Sequence, residues 1–161
     1  METKTESLTR KIILIACSSK KLNRRAQAKD LYTGSLFKLS WAYALNERPD
    51  KIYILSALHG LLDPETDIDP YNIALSRPPN SDSSSPVKVL TAKEKKQWGN
   101  QVIATLSTVA DLRRDKFIIL AGKEYIKPLA DNLLYLQDPL KGLNRGKRLA
   151  FLSQSAAGKL E

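Results

Sequence analysis

The chain has 161 residues and a formal net charge of +9, with 26 lysines and arginines against 17 aspartates and glutamates. This length fits a single domain, while one cysteine and one histidine exclude an internal disulfide and leave too few ligands for a typical zinc site. No apolar segment approaches the ~20 residues that cross a bilayer, and the N-terminal residues lack the apolar core of a signal peptide. We therefore expect a cytoplasmic protein without a membrane partner.

The first half of the chain predicts a strand, a helix and a second strand. The segments KIILIACS (11–18) and KIYILSAL (51–58) are apolar without alternation, which is typical of strands covered on both faces. Between them, SLFKLSWAYALNE (35–47) has the apolar spacing of a helix. The low-complexity segment SRPPNSDSSSP (76–86) predicts a mobile loop that extends over residues 76–90.

The second half of the chain predicts two helices and two further strands. In chain order the patterns are a helix over 91–112, a strand over DKFIILAG (115–122), a helix over KEYIKPLADNLLYL (123–136) and a weaker strand over KRLAFLSQ (147–154). The first helix opens with a capping box of Thr91 and Glu94. Pro128 either kinks the second helix or marks its start.

The alternation of strands and helices predicts the fold class. We expect an α/β fold with a mostly parallel central sheet of about four strands flanked by helices. It forms one domain over residues 11–154, with a flexible N-terminal tail over 1–10 and a C-terminal tail over 155–161.

Three loops carry the candidate chemistry, because ligands of open parallel sheets bind outside the carboxyl ends of the strands. They are CSSKK (17–21), SALHG (56–60) and AGKEY (121–125). The candidate catalytic residues in these loops are Cys17, Lys20, Lys21, His59 and Glu124. We expect no cofactor and no metal ion, since the sequence has no Walker loop, no GxGxxG segment and no nucleophile elbow.

Each catalytic candidate has a structural alternative. Cys17 is either a thiolate favoured by neighbouring lysines or a small residue that closes a strand. Lys20 either holds a phosphate, which we favour, or acts as a nucleophilic amine. His59 either caps a turn or takes part in catalysis, and Glu124 is either an acid–base group or a helix residue favoured in the first turn.

Two basic clusters favour a polyanion as the partner, because binding phosphates releases counterions. The candidate nucleic-acid-binding residues are Lys20, Lys21, Arg24, Arg25 and Lys29 in the first cluster and Arg145, Lys147 and Arg148 in the second, which also holds Lys141. The alternative is a solvated basic surface. A module that binds a partner protein is a further alternative, and it would leave an exposed apolar patch.

Five short motifs resemble, in the same order, those of the YaaA-type peroxide-stress proteins and of their shorter, uncharacterised bacterial and phage relatives. The motifs are CSSK (17–20), KDLYTGSL (29–36), LSALHGLLDPETDIDPY (55–71), QWGNQV (97–102) and LAGKEYIK (120–127). The resemblance covers most of residues 12–128 and places Lys20 on the lysine of that family, while His59 stands in place of a tyrosine. It implies a nucleic-acid-binding protein of DNA protection or oxidative stress, with DNA favoured over RNA.

The motifs and the loops together predict the residues that line a ligand site. They are Ser18, Ser19, Tyr32, Thr33, Gly34, Ser56, Gly60, Asp69, Tyr71, Gly122 and Tyr125. The ligand is either a nucleic acid or a phosphorylated nucleotide, and Tyr32, His59 and Tyr71 would stack a base.

A fainter likeness keeps an enzyme as the alternative. The segment ACSSKK (16–21) is similar to the modification site of archaeosine synthase, with Lys21 at the matching offset from Cys17. That likeness implies a lysine that attacks a nitrile on a modified tRNA base. The alternative function is therefore a small enzyme that acts on a nucleobase or nucleotide, by base modification or glycosidic-bond chemistry. The sequence leaves open which of the two lysines is functional.

Overall fold

The structure is a computed structural model that describes residues 9–76 and 87–158, with side chains up to residue 154. The described residues form nine strands: β1 (Lys11–Ala16), β2 (Ala26–Gln27), β3 (Lys51–Ser56), β4 (Gly60–Leu62), β5 (Asp67–Ile68), β6 (Ile73–Ala74), β7 (Lys88–Val89), β8 (Lys116–Leu120) and β9 (Tyr135–Gln137). They also form five α-helices: α1 (Ala28–Leu31), α2 (Ser35–Asn46), α3 (Ala92–Val109), α4 (Lys123–Ile126) and α5 (Arg145–Gly158). A short 3-10 helix spans Ala130–Asn132.

A five-stranded sheet in the order β4-β3-β1-β8-β9 lies at the centre. The pairs of β1 with β3, β1 with β8 and β8 with β9 are parallel, and only the β3–β4 pair is antiparallel. In the central strand, Leu14 lies opposite Tyr53 on one side and Ile119 on the other. The predicted α/β fold with a mostly parallel sheet is confirmed, with one strand more than the expected four.

Helices cover both faces of this sheet, which explains why β1 is apolar without alternation. Ile12 and Leu14 point to the layer formed by α3. Ile13 and Ile15 point to the opposite layer, which contains α1, α2 and α5. All four side chains are fully buried, so this run of residues supplies the centre of the core on both sides.

The helices α2 and α3 form where their patterns predicted them. The capping box at α3 is present: the Thr91 hydroxyl accepts from the Glu94 N–H, and the Glu94 carboxylate accepts from the Thr91 N–H. The buried residues of α3 are Trp98, Gly99, Val102 and Leu106, which recur at helical spacing along one face.

The segment 147–154, predicted as a weak strand, is instead part of α5. The Asn144 side chain accepts from the Lys147 N–H and so caps the first turn. Leu152 is buried, and the Phe151 ring lies 5.8 Å from that of Tyr43 on α2. The apolar residues of this segment therefore form one stripe that packs on the neighbouring helix. Their spacing is that of a helix and not that of a strand.

The segment 123–136, predicted as one helix, is divided into three pieces. The helix α4 ends at Ile126, just before Pro128, whose ring cannot continue the hydrogen-bonded turn. The 3-10 helix follows, and Tyr135–Gln137 then adds β9 to the edge of the central sheet. This strand and β4 are the two strands of the central sheet that the sequence did not reveal.

Two small sheets lie outside the central one. One pairs β2 with β5 and the other pairs β6 with β7. Of the predicted mobile loop over 76–90, residues 77–86 lie outside the described residues, and Lys88–Val89 forms β7. Of the predicted tails, residues 1–8 and 159–161 lie outside the described residues, while Arg10 is bonded to Asp115 by its backbone N–H and its guanidinium. No helix in the described part of the chain is long and apolar enough to cross a bilayer.

Candidate functional site

A cleft of about 1480 Å³ lies at the carboxyl edge of the central sheet. Its walls are the segments that follow β1 and β8, the segment between β9 and α5, the start of α2, and parts of 72–76 and 87. The three strands β1, β8 and β9 are adjacent and parallel, so their ends meet at one edge and leave a crevice there.

The lining of the cleft carries more positive than negative charge. Its cationic residues are Lys20, Lys123, Lys127, Lys141, Arg145 and Arg148. Its acidic residues are Glu124 and Asp138. Glu124 accepts a hydrogen bond of 2.8 Å from Lys95 on α3, and this bond lowers the pKa of the Glu124 carboxyl. The cleft is therefore electropositive and suits an anionic ligand.

Cys17 and Tyr125 face each other in the wall of the cleft. The Cys17 sulfur lies 3.4 Å from the Tyr125 hydroxyl, and the Cys17 N–H donates to the Leu55 carbonyl of the adjacent strand. Burial raises the pKa of Tyr125 well above its usual value, so the phenol keeps its proton. The Trp98 ring lies edge-on to Tyr125 at 5.6 Å, which fixes the phenol against α3.

A tyrosine cluster, formed by Tyr32, Ser56 and Tyr71, lies outside the cleft lining. The Tyr71 hydroxyl is 2.6 Å from that of Tyr32 and 2.7 Å from that of Ser56. Burial raises the pKa of both tyrosines, so their hydroxyls are protonated at neutral pH. The cluster ties the end of α1, the end of β3 and the loop after β5 together.

Lys20 and Lys21 point to different surroundings. Lys20 is exposed and lines the cleft. The Lys21 amine lies 4.4 Å from the centroid of the Tyr71 ring and 5.7 Å from that of Tyr32. Burial lowers the pKa of Lys21, although the nearby Cys17 opposes this effect. Lys20 therefore lies in the cleft, whereas the Lys21 amine lies at the tyrosine cluster.

His59 lies outside the cleft, because the chain reverses directly after β3. Gly60 pairs with Ser56 at the start of the antiparallel β4, and Gly60 has a φ of +70°, which favours glycine. The His59 N–H donates to the Ser56 hydroxyl, and its ring lies edge-on to Tyr71 at 5.5 Å. Partial burial lowers the pKa of His59. The hairpin therefore directs SALHG to the tyrosine cluster, away from Glu124.

The structure divides the predicted residues into two groups. Those that line the cleft are Cys17, Ser18, Ser19, Lys20, Gly34, Gly122, Glu124, Tyr125, Arg145 and Arg148. Those that do not are Lys21, Arg24, Arg25, Lys29, Tyr32, Thr33, Ser56, His59, Gly60, Asp69, Tyr71 and Lys147. In the second group, Arg25 forms an exposed ion pair with Asp69 at 3.1 Å. Within the described ranges, no three or more His, Cys, Asp or Glu side chains are grouped to hold a metal ion.

The sequence reasoning missed several polar residues of the cleft, which are Ser40, Asn72, Ser76, Lys123, Lys127, Asp138 and Asn144. Asp138 and Ser40 stand out among them because the first is partly buried and the second is buried. Asp138 follows β9 directly, and its Oδ1 is buried without a hydrogen-bond partner among the described residues. Burial raises the pKa of Asp138, although the nearby Arg148 opposes this effect. Ser40 is a buried serine on the cleft side of α2. Once β9 is recognised, the rule that ligands bind at the carboxyl ends of parallel strands points to Asp138. For Ser40, the available signal was a single hydroxyl on the apolar face of a predicted helix.

The match to a protein family spans nearly the whole chain. The model of a family of unknown function, DUF6884, matches residues 12–154. The chain belongs to the DUF6884 family. Comparison with curated proteins and with solved structures gave no match. Every segment that lines the cleft, from Ala16 to Arg148, lies inside the part matched by DUF6884. The likeness to YaaA-type proteins stays a prediction.

Proposed function

We propose that the protein binds single-stranded nucleic acid in the cleft at the carboxyl edge of its sheet. The observation that carries the proposal is the electropositive lining, which comes from three segments far apart in sequence, represented by Lys20, Lys127 and Arg145. These side chains would contact phosphates, and release of counterions would supply much of the affinity. The net charge of +9 favours a polyanion for the same reason.

The size and lining of the cleft favour an unpaired strand. Its volume of about 1480 Å³ exceeds the roughly 300–1,000 Å³ typical of small-molecule pockets, so it has room for more than one nucleotide. Leu36, Val87 and Leu143, which are partly exposed, give part of the lining an apolar character. Apolar and aromatic surfaces take up unstacked bases, whereas a duplex keeps its base faces covered.

The likeness to YaaA-type proteins adds a role to the proposal. It favours DNA over RNA, and DNA protection or the response to oxidative stress as the setting. Loss of the gene should then sensitise its host to peroxide, and a deletion strain with unchanged peroxide survival would remove this part of the proposal. The binding proposal does not depend on that outcome.

The binding proposal is tested by the salt dependence of affinity for a labelled single-stranded oligonucleotide, measured by fluorescence anisotropy. The double variant Lys20→Ala with Arg145→Ala removes two cations of the cleft. Its log–log salt slope should be smaller than that of the wild type by about 1.4, at about 0.7 per lost phosphate contact. The control is Arg113→Ala with Arg114→Ala, which removes the same charge just before β8, at the opposite edge of the sheet. Equal slopes for the two double variants would refute binding in the cleft.

A second candidate function is an enzyme that acts on a nucleobase or nucleotide. The observation that favours it is the half-buried Lys21 amine over the Tyr32 and Tyr71 rings, because burial favours the neutral, nucleophilic form of an amine. If the Lys21 amine displaces the base from the sugar C1′, the base leaves with a proton and the opened sugar remains as an imine on the lysine, which borohydride reduces. Incubation with nucleotides and oligonucleotides, then borohydride and intact-mass measurement, should therefore show an adduct in the wild type and none in Lys21→Arg. No adduct in either protein would exclude imine chemistry at this lysine.

A further inference from the structure

The first turn of α2 lies at the wall of the cleft and has no N-cap side chain. Helix α2 has 12 residues, its N-cap residue is Gly34, and no side chain of the described residues caps it. The N–H groups of Leu36 and Phe37 are the ones that an N-cap side chain would satisfy, and both residues line the cleft. A helix N-terminus also carries a partial positive charge, and the first turn of α2 contains no acidic residue to offset it.

The packing of Gly34 explains the missing cap. A Cβ atom at this position would lie 3.0 Å from both the Cβ and the Oγ of Ser18. The Ser18 hydroxyl is already engaged, because it donates to the Lys20 carbonyl at 2.6 Å and accepts from the Gly34 N–H at 3.3 Å. The close approach of the two loops thus disfavours a capping side chain at Gly34, and the bond of the Thr33 N–H to the Lys20 carbonyl brings the Lys20 backbone beside the helix end.

Ser40 is an independent sign of a ligand at the same place. It is only 2 % exposed, yet its hydroxyl has no hydrogen bond to any residue that the structure describes, and it lines the cleft. In a helix, side chains lean toward the N-terminus, and residues three or four apart share a face. Ser40 therefore lies on the face of Leu36 and Phe37 and leans toward their N–H groups. Buried hydroxyls normally have partners, so a partner from outside the chain is expected here.

We propose that the N–H groups of Leu36 and Phe37 and the hydroxyl of Ser40 form a subsite for one phosphate group of the bound nucleotide. Lys20 supplies the balancing charge from the adjacent loop. Phosphate fits this arrangement because it is an anion with several acceptor oxygens, and helix N-termini bind phosphates in this way. This inference rests on the proposed function for the source of the phosphate, which is either a nucleic acid strand or a free nucleotide.

The test is a titration of the uniformly ¹⁵N-labelled protein with inorganic phosphate, at ionic strength matched with sodium chloride and followed by amide NMR. The Leu36 and Phe37 amide signals should move with a single saturable dependence on phosphate. Ser40→Ala should weaken this binding by about tenfold, because it removes a hydrogen bond to a charged group. Ser107→Ala, the same change at an exposed helical serine outside the cleft, should leave it unchanged.

The outcomes separate this inference from the proposed function. Phosphate shifts confined to Lys141–Arg148, or equal affinities of Ser40→Ala and wild type, would overturn the subsite. Oligonucleotide binding with unmoved Leu36 and Phe37 amides would also overturn it, while the proposed function would stand. Shifts at these amides with phosphate and with a nucleoside monophosphate, but no oligonucleotide binding, would support the subsite and refute the strand as its ligand.

Discussion

Replacing Gly99 with alanine sets two effects of opposite sign against each other. Gly99 lies inside α3, where alanine is better than glycine by about 1 kcal/mol in helix propensity. A Cβ atom at Gly99, however, would lie 2.5 Å from the Pro128 Cβ and 3.0 Å from the Pro128 carbonyl oxygen. Neither atom belongs to a flexible side chain, so the backbone after α4 must move. Overpacking of this kind costs about 1–3 kcal/mol, and a contact this short belongs at the upper end.

The packing effect should therefore prevail. We expect Gly99→Ala to lower the free energy of unfolding by about 2 kcal/mol, measured by urea denaturation with tryptophan fluorescence. The matched control is Gly146→Ala near the start of α5, where the nearest atom to a new Cβ is the Asn144 Oδ1 at 3.7 Å. This control should gain up to about 1 kcal/mol. A Gly99→Ala protein as stable as the wild type would refute the packing of α3 on Pro128.

Three further substitutions test the surroundings of the cleft. Tyr71→Phe removes a hydroxyl that lies 2.6 Å from that of Tyr32, and we expect a loss of about 2 kcal/mol in the same urea assay; an unchanged midpoint would contradict the hydroxyl network. Glu124→Gln should cost less than about 1 kcal/mol at pH 7. The Lys95 bond holds the folded pKa of Glu124 below its usual 4.5. The difference in unfolding free energy between wild type and variant should therefore vanish as the pH falls through that folded pKa. A difference that persists in acid would count against the ion pair. Burial raises the folded pKa of Asp138, so wild-type stability should decrease as the pH rises through that pKa. Urea denaturation at a series of pH values should show no such decrease for Asp138→Asn. Parallel stability profiles for the two proteins would show that Asp138 does not cause the decrease.

Much of the fold could be read from the apolar runs. The segments 11–18, 51–58 and 115–122 formed parallel strands because a strand covered on both faces needs apolar residues at every position. Two segments were read wrongly, and each for a local reason. The apolar residues of 147–154 fit the spacing of a strand as well as that of a helix, and packing against α2 favours the helix. In 123–136 the helical pattern is interrupted at Pro128, after which pairing with β8 decides for a strand.

The same errors limited what the sequence could say of the site. The carboxyl-end rule located Cys17, Lys20 and Glu124 correctly at one edge, because β1 and β8 are adjacent parallel strands. It could not locate Asp138 without β9. The same rule wrongly placed His59 in the cleft. The chain reverses into β4 directly after β3, and this reversal depends on strand pairing that no local pattern revealed.

The central claim is that the cleft is where nucleic acid binds, and Cys17 provides its most direct test. Cys17 is the only cysteine of the chain and lines the cleft, so the rate of alkylation by a maleimide, followed by intact mass, reports on this place alone. A saturating single-stranded oligonucleotide should slow alkylation several-fold, and high salt should restore the rate as the oligonucleotide dissociates. An oligonucleotide that is bound by anisotropy but leaves the alkylation rate of Cys17 unchanged would contradict the claim.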